Sequence, residues 1–400
     1  MAIPRQVPRA AITPRSAART LVLALAALVA ALAATALRPG AAEALTVGFM
    51  DPATQTEHPE EFWADMTALR GGVLRYDLYW REIAPVRPSD PRNPASPEYD
   101  WKTIDRLVRD ANAHGVEVLF TLWRTPTWAR ADGGAGPGGF YSYAPNLDDW
   151  GNFVHAAAVR YSGFFDPDGA GGPEPALPQV TKWEMWNEPN YIGALRPQRI
   201  RKKIVSPAIY AGILNRGFAE IQTVEAELNI RMDVLGGAMN RGFGGAGSIP
   251  ALKFLQGMKK AKAKFDIASL HPYPLTGRAG VDDGAKAPNI TLANFRKYER
   301  ELDRLWPAKR YTIWLTEYGA QTQPDRYGAT LEGQQRFVKT AIGRLVKRHP
   351  RVTHLVWFLL RDEAVELPGE SDNWQSGLRG SDGVVKPAYQ TWVDTVASLL

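Results

Sequence analysis

Short apolar runs alternate with longer amphipathic segments along the chain from Leu45 onward. Eight of the short runs are rich in β-branched and aromatic residues, which is typical of buried strands. We predict strands at Leu45–Met50, Gly72–Tyr79, Val116–Trp123, Thr181–Asn187, Met232–Met239, Phe265–His271, Tyr311–Glu317 and Val352–Leu359.

Helical patterns separate these strands. Between Ile104 and Ala111 the apolar residues recur with the three- and four-residue spacing of a helix that packs on a sheet. Similar segments predict helices around Pro59–Leu69, Asp100–His114, Asp148–Ser162, Ala208–Ala226, Ile249–Lys264, Leu292–Trp306, Leu331–Arg348 and Pro387–Leu400.

Eight β-α units predict an α/β protein with a single closed (β/α)8 TIM barrel over residues 45–400. The alternative is an open doubly wound sheet. Such a sheet usually has fewer strands and a glycine-rich phosphate-binding turn after the first, and no such turn follows Met50. The long loops follow the strands, and in a barrel of this kind the active site lies on the face that those loops form.

Two of the predicted strands end at a carboxylate, Glu188 after the fourth and Glu317 at the seventh. One carboxyl group can protonate the leaving oxygen of a glycosidic bond while the other attacks the sugar or activates water. We therefore interpret Glu188 and Glu317 as a catalytic pair. Glu188 by itself could be a solvated loop acid, but the joint occurrence of the two residues is more specific than either alone.

Strict alternation of side chains along a strand makes two further predictions. It places Glu317 inside the barrel and directs Trp314 and Thr316 towards the helices. It also puts Asn187 and Glu188 on opposite faces of the fourth strand. Both can reach one pocket only if that strand kinks or bulges at its end.

Other residues near the strand ends could complete a sugar-binding site. Arg75 could keep a carboxylate ionised, or it could be only the buried partner of Asp77 or Glu184. His271 could equally be a core imidazole, and Trp357 could be core rather than the floor of a sugar site. The candidate substrate-binding residues are Asn187, Arg75, His271, Tyr273, Trp357 and Trp123.

The first 44 residues have the pattern of an export signal. Four arginines precede an apolar, alanine-rich stretch from Leu21 to Ala34, and Ala42-Glu43-Ala44 matches the small-x-small cleavage pattern. We predict residues 1–44 to be a signal peptide of the general secretory route or an uncleaved N-terminal membrane anchor. The protein is then secreted or held at the cell surface, and an uncleaved segment would be its sole membrane contact.

Composition excludes several other functions. The chain has a net charge of +6, of which residues 1–44 carry +4, so the remainder is nearly neutral and is unlike a nucleic-acid-binding protein. It has no cysteine, and neither a His-Glu-x-x-His motif nor a nucleophile elbow is present. We expect no metal and no cofactor. The 13 tryptophans and 14 tyrosines suit sugar rings, although most of them could be core.

These motifs resemble the clan A superfamily of retaining barrel glycoside hydrolases over essentially residues 45–400. Segments Tyr99–Asp105 and Leu122–Ala129 are most similar to the xylosidase-like family thirty-nine, and the cellulase-like family five is nearly as similar. The resemblance implies that Glu188 is the acid/base, Asn187 the ligand of the sugar 2-hydroxyl and Glu317 the nucleophile. It also implies that Arg75, Tyr273 and Trp357 support the nucleophile and floor the pocket. One departure is Trp123-Arg124, where many relatives have a histidine.

The predicted activity is hydrolysis of O-glycosyl bonds in a β-linked oligo- or polysaccharide through a covalent glycosyl-enzyme. Two alternatives remain open. The barrel could transfer sugars to acceptors other than water during the assembly of a cell-surface polysaccharide, or it could bind carbohydrate without cleaving it.

Overall fold

Eight short apolar segments form the parallel strands of a closed barrel. In this computed structural model the described residues are 45–134, 142–169, 175–242, 247–276, 278, 280–364 and 373–399. The barrel strands are β1 (Thr46–Met50), β2 (Val73–Tyr79), β3 (Glu117–Trp123), β4 (Lys182–Met185), β5 (Asp233–Asn240), β6 (Ile267–His271), β7 (Ile313–Tyr318) and β8 (Val352–Phe358). Every one of them lies at a predicted strand.

Each barrel strand pairs in parallel with the one before it, and β8 closes the barrel by pairing with β1. Phe49 of β1 lies beside both Leu74 of β2 and Trp357 of β8. The predicted single (β/α)8 barrel is therefore confirmed, and the open doubly wound sheet is excluded. The predicted segment 1–44 lies outside the described residues.

A helix follows each strand and packs on the outside of the barrel. The helices are α1 (Pro59–Ala68), α2 (Lys102–Ala113), α3 (Leu147–Arg160), α4 (Ser206–Leu228), α5 (Ala251–Lys260), α6 (Arg296–Leu305), α7 (Leu331–Arg348) and α8 (Pro387–Leu399). None of the described helices is both long enough and apolar enough to cross a membrane.

The helices form where the sequence combines an apolar stripe with a suitable first residue. Helix α2 buries Ile104, Leu107, Val108 and Ala111, which share one face at helical spacing. Helix α3 begins after Asn146, whose side-chain oxygen accepts hydrogen bonds from two backbone N–H groups of the first turn. Burying such stripes against the strands supplies most of the stability of the outer layer.

The core has two layers. Residues between strands and helices form the larger one. The smaller one fills the barrel with one apolar side chain from each strand except β4: Met50, Val73, Leu119, Leu235, Ile267, Trp314 and Val356. Strand β4 instead directs the buried carboxylate of Glu184 into the barrel, so the interior changes from apolar to polar towards its carboxyl-terminal end.

Candidate active site

A cleft of about 1020 Å³ opens at the carboxyl-terminal ends of the barrel strands. The predicted site residues that line it are Asn187, Glu188, Tyr273, Glu317 and Trp123. Two more, Arg75 and His271, are fully buried and contact the carboxylates of the lining. The structure thus brings seven of the eight predicted site residues together.

Glu317 reaches the cleft because β7 contains a bulge. Leu315 lies opposite Leu355 of β8, whereas Tyr318 lies opposite Trp357, so β7 has one extra residue between these pairs. The extra residue breaks the alternation.

The prediction that Trp314 and Thr316 face the helices was wrong. Trp314 belongs to the cluster inside the barrel, and the Thr316 hydroxyl donates to Glu184 inside the barrel at 2.9 Å. Because the bulge follows directly, both Thr316 and Glu317 face inward. Tyr318 then packs outward against Phe337 of α7.

The end of β4 is kinked, which brings Asn187 and Glu188 to the same cleft. Trp186 has a φ of 77° and Glu188 a φ of 40°, both in the left-handed region that non-glycine residues rarely adopt. The Trp186 indole is buried and donates to the carbonyl of Ala194 at 2.9 Å, which helps to hold this conformation. Backbone strain of this kind concentrates at functional sites.

Arg75 is the hub of the buried polar network beneath the cleft. Its Nε donates to Thr121 at 2.9 Å and to Glu184 at 3.1 Å, and its Nη2 donates to the Oδ1 of Asn187 at 2.9 Å. Its Nη1 donates to the carboxylate of Glu317. Arg75 is therefore both a buried partner of Glu184 and a direct contact of the predicted nucleophile.

The environment of Glu317 favours its ionised form. Burial by itself would raise the pKa of Glu317. The positive charges of His271 and Arg75, with hydrogen bonds from Arg75 and from the Tyr273 hydroxyl at 3.2 Å, outweigh burial and lower that pKa below its ordinary value. Glu317 is thus a carboxylate at neutral pH.

His271 lies between the two candidate catalytic acids. Its Nδ1 is 3.2 Å from Glu188 Oε1 and 3.6 Å from Glu317 Oε2. The Thr316 hydroxyl donates its single proton to Glu184, so its oxygen accepts the N–H at His271 Nε2, 3.0 Å away. Burial would lower the pKa of His271, but the two carboxylates outweigh it and raise that pKa.

Glu188 and Glu317 are close neighbours. One oxygen of each carboxyl group and a nitrogen of His271 all lie within 4.8 Å of one another. Asn240, at the end of β5, donates to Glu188 Oε2 at 3.0 Å and fixes that carboxyl group from the other side. The sequence reasoning missed Asn240. Its position at the end of a strand, the feature that identified Glu188, was the available signal.

Asp77 is a second residue that the sequence reasoning treated only as a partner of Arg75. It lines the cleft, is 7% exposed and has its Oδ1 3.6 Å from Arg75 Nη2. Burial raises the pKa of Asp77, and the positive charge of Arg75 offsets part of that rise. Asp77 shares the inward face of β2 with Arg75, so the two-residue period could have identified it.

Trp357 does not lie on the cleft. The regular alternation of β8 turns it outward, where it is fully buried against Trp392 of α8 and donates to the carbonyl of Ser376. The prediction that it floors the sugar site is therefore corrected. Its neighbour Phe358 and the more distant Trp374 line the cleft instead, with their rings 5.2 Å apart.

The triad Glu188, His271 and Glu317 has a spacing that could hold a metal ion. The Glu317 carboxylate, however, already accepts hydrogen bonds from Arg75 and Tyr273, and the guanidinium balances its charge. The two carboxyl groups can act as acid and nucleophile without a metal.

No protein-family model matches this chain, and no curated protein matches it. Solved structures do match it. A family 39 glycoside hydrolase from Bacteroides cellulosilyticus WH2 has a TM-score of 0.61 and 17% identity over 89% of this chain and 64% of its own. A glucosidase from Croceicoccus marinus has a TM-score of 0.59 and 16% identity over 89% and 67%. The GH39 enzyme from Xanthomonas axonopodis pv. citri has a TM-score of 0.58 and 17% identity over 89% and 66%.

This chain has the barrel fold of these glycoside hydrolases. It spans about two thirds of the length of the three solved structures. The expected resemblance to clan A barrels, including family thirty-nine, is confirmed at the level of the fold.

Proposed function

We propose that this protein is a retaining glycoside hydrolase that cleaves a β-linked oligo- or polysaccharide. The observation that carries the proposal is the carboxyl pair, with oxygens of Glu188 and Glu317 within 4.8 Å of each other. Retaining glycosidases keep their two carboxyl groups about 5 Å apart, whereas inverting enzymes need about 6.5–9.5 Å to admit a water molecule. The resemblance of fold and motifs supports the same class.

In the first step Glu317 attacks the anomeric carbon and forms a glycosyl-enzyme. Its lowered pKa supports this role, because the attacking group must be ionised. Glu188 gives its proton to the leaving oxygen. Arg75 and Tyr273 hold the attacking carboxylate in place, and Asn187 binds the sugar 2-hydroxyl.

In the second step Glu188 takes a proton from water, which then attacks the anomeric carbon and releases the sugar. Asn240 orients the Glu188 carboxyl group through its 3.0 Å hydrogen bond, and His271 contacts the same group on the other side. His271 Nδ1 faces both carboxyl groups, 3.2 Å from Glu188 and 3.6 Å from Glu317, so a positive charge on its ring stabilises both carboxylates.

The cleft suits a chain of sugars. It is open along the mouth of the barrel and its walls include Trp123, Phe358 and Trp374, whose rings offer apolar faces to sugars. The pattern of residues 1–44 supports export by the general secretory route, so that the substrate is an extracellular or cell-surface glycan. Mass determination of the protein after export would show whether that segment is removed.

The first experiment measures reducing-sugar release from β-linked polysaccharides and aryl glycosides. We compare the wild type with Glu317→Gln, Glu188→Ala and the control Glu227→Ala, an exposed acid of α4 outside the cleft lining. Glu317→Gln should lower kcat by about 10⁴-fold or more, because it removes the attacking group. Glu227→Ala should leave kcat within about twofold.

Two further readouts complete this test. Proton NMR of the first product should show the β-anomer, and adding an acceptor sugar would reveal transfer to acceptors other than water. Activity should survive a chelator. An α-anomer as the first product, or a Glu317→Gln variant that keeps more than a few per cent of the activity, would contradict the proposed mechanism.

A further inference from the structure

The mouth of the barrel is divided by charge. The segments after β3, β4 and β5, residues 124–146, 186–205 and 241–250, carry eight arginines and lysines but only two acids. One of those acids, Asp132, is paired with Arg130 at 2.6 Å, and the other is Glu188. Because β3, β4 and β5 are adjacent in the barrel, these cations share one side of the mouth.

The opposite side of the mouth is acidic. The described parts of the segments after β7, β8 and β1, residues 319–330, 359–364, 373–386 and 51–58, carry six acids and four arginines and lysines. The segments after β2 and β6 lie between the two sides and are nearly balanced, with six acids and five arginines and lysines over residues 80–101 and 272–295. The charge therefore changes sign across the cleft from the side of Glu188 to the side of β8.

The basic side includes an exposed hairpin. Arg199–Ile200 pairs antiparallel with Lys203–Ile204, and Arg201, Lys202 and Lys203 are exposed. These three side chains form no ion pair or hydrogen bond with any residue that the structure describes. Three neighbouring cations without a counter-charge repel one another, and a bound anionic ligand would offset that electrostatic repulsion.

The base of the hairpin is fixed next to the proposed acid/base. Gln198 donates to the carbonyl of Pro189, the residue after Glu188, at 2.8 Å, and it accepts from the Ser206 hydroxyl at 2.8 Å. The hairpin thus extends from the part of the mouth at which the leaving group departs, since the acid/base protonates the leaving oxygen.

Arg241 extends the basic side into the cleft. It lines the cleft directly after Asn240, the residue that donates to Glu188. Its guanidinium donates to the carbonyl of Pro274, which holds it in place. A fixed guanidinium is well suited to recognise carboxylate or sulfate groups.

We propose that the substrate is an anionic polysaccharide, and that its carboxylate- or sulfate-bearing sugars lie on the leaving-group side of the scissile bond, along Arg241 and the basic hairpin. This inference rests on the proposed function, because the role of Glu188 as acid/base sets the direction in which the sugar chain lies in the cleft. A polymer that occupies the cleft next to Glu188 must pass this side of the mouth, whereas a membrane covering it would block the cleft. The acidic side of the mouth correspondingly disfavours anionic sugars at the other end of the cleft.

The test is a binding measurement that needs no turnover. The full chain with Glu317→Gln is run in native gels that contain carboxymethylcellulose, cellulose sulfate or neutral hydroxyethylcellulose, which share one β-linked backbone and differ in charge. We expect retardation by a carboxylated or a sulfated polymer and none by the neutral one. The three-fold hairpin variant Arg201→Gln, Lys202→Gln, Lys203→Gln should raise Kd about tenfold, since exposed ion pairs contribute modestly. Raising the salt concentration should also weaken binding.

The matched control is Lys260→Gln, Lys262→Gln, Lys264→Gln. These lysines are exposed at the end of α5, on the opposite face of the barrel, and their removal changes the net charge equally. Their loss should alter Kd less than twofold. Equal weakening by both variants would show that only net charge matters and would overturn the proposal.

Two other outcomes would also overturn it. One is the absence of retardation by either anionic polymer. The other is binding to phosphatidylglycerol vesicles that depends on the hairpin while polymer binding does not. Failure of the proposed function is distinguishable from these results. If no glycoside is hydrolysed but hairpin-dependent polymer binding persists, the catalytic proposal fails and the proposal of an anionic ligand is retained.

Discussion

Removing the Tyr273 hydroxyl is the least disruptive test of the proposed nucleophile. It donates to Glu317 Oε2 at 3.2 Å, and this hydrogen bond is one of the contacts that lower the pKa of Glu317. In Tyr273→Phe that stabilisation of the carboxylate is lost, so the pKa of Glu317 rises. Glu317 must be ionised to attack, and the acid limb of kcat/KM should therefore move to higher pH. A hydrogen bond to a charged group contributes about 1.5–3 kcal/mol, so kcat/KM should fall about 10- to 100-fold at neutral pH.

Tyr318→Phe is the matched control for this prediction. It removes the same atom from the next residue along β7 after Glu317, but Tyr318 faces Phe337 of α7 rather than the cleft. Its pH profile should overlie that of the wild type. A pH profile of Tyr273→Phe that is equally unchanged would show that the hydroxyl does not act on the nucleophile.

At the scale of single elements, the bulge in β7 determines which side chains reach the cleft. It brings Glu317 to the same inward face as Thr316, whose hydroxyl contacts Glu184 and His271 at 2.9 and 3.0 Å. In Thr316→Val the size is kept but one Glu184 oxygen loses its donor, so the free energy of unfolding should fall by about 1–3 kcal/mol. The activity should fall too, because His271 loses the contact that fixes its ring. Urea unfolding and kcat measure the two effects.

Thr312→Val, an exposed substitution just before the same strand, is the control and should change stability by less than about 0.5 kcal/mol. A neutral or stabilising Thr316→Val would mean that Thr316 faces the apolar helix layer, as strict alternation counted back from Glu317 predicts. This measurement therefore tests whether Thr316 faces into the barrel.

The sequence predicted every barrel strand but not the irregularities at the strand ends. Hydrophobic periodicity reports burial over a whole segment, whereas a bulge or a left-handed residue changes the direction of one side chain. The apolar runs placed Glu188 and Glu317 at strand ends, yet they misassigned Thr316 because the extra residue in β7 leaves no trace in that pattern. Trp357 was misassigned for the converse reason, since β8 alternates regularly from His354 to its end and turns Trp357 towards Trp392 of α8.

At the scale of the whole molecule, side chains of the last β-α unit hold it to the first. Asp65 of α1 is buried and accepts from Arg379 at 2.6 and 2.8 Å and from the Tyr389 hydroxyl at 2.8 Å. The indole of Trp392 in α8 donates to the carbonyl of Leu69. These contacts reinforce the strand pairing of β8 with β1, so they bear on the closure of the barrel rather than on its chemistry.

Asp65→Asn tests this closure. The change keeps the shape of the side chain but leaves the charge of Arg379 without its buried partner, which should lower the free energy of unfolding by about 2–3 kcal/mol. A fully buried pair would lose more, but the Arg379 side chain is 18% exposed. The folded variant should keep the kcat of the wild type because Asp65 lies outside the cleft lining. Asp394→Asn, an exposed change in α8, should alter neither quantity. If Asp65→Asn unfolds at the same urea concentration as the wild type, the pairing of β8 with β1 closes the barrel without help from these side chains.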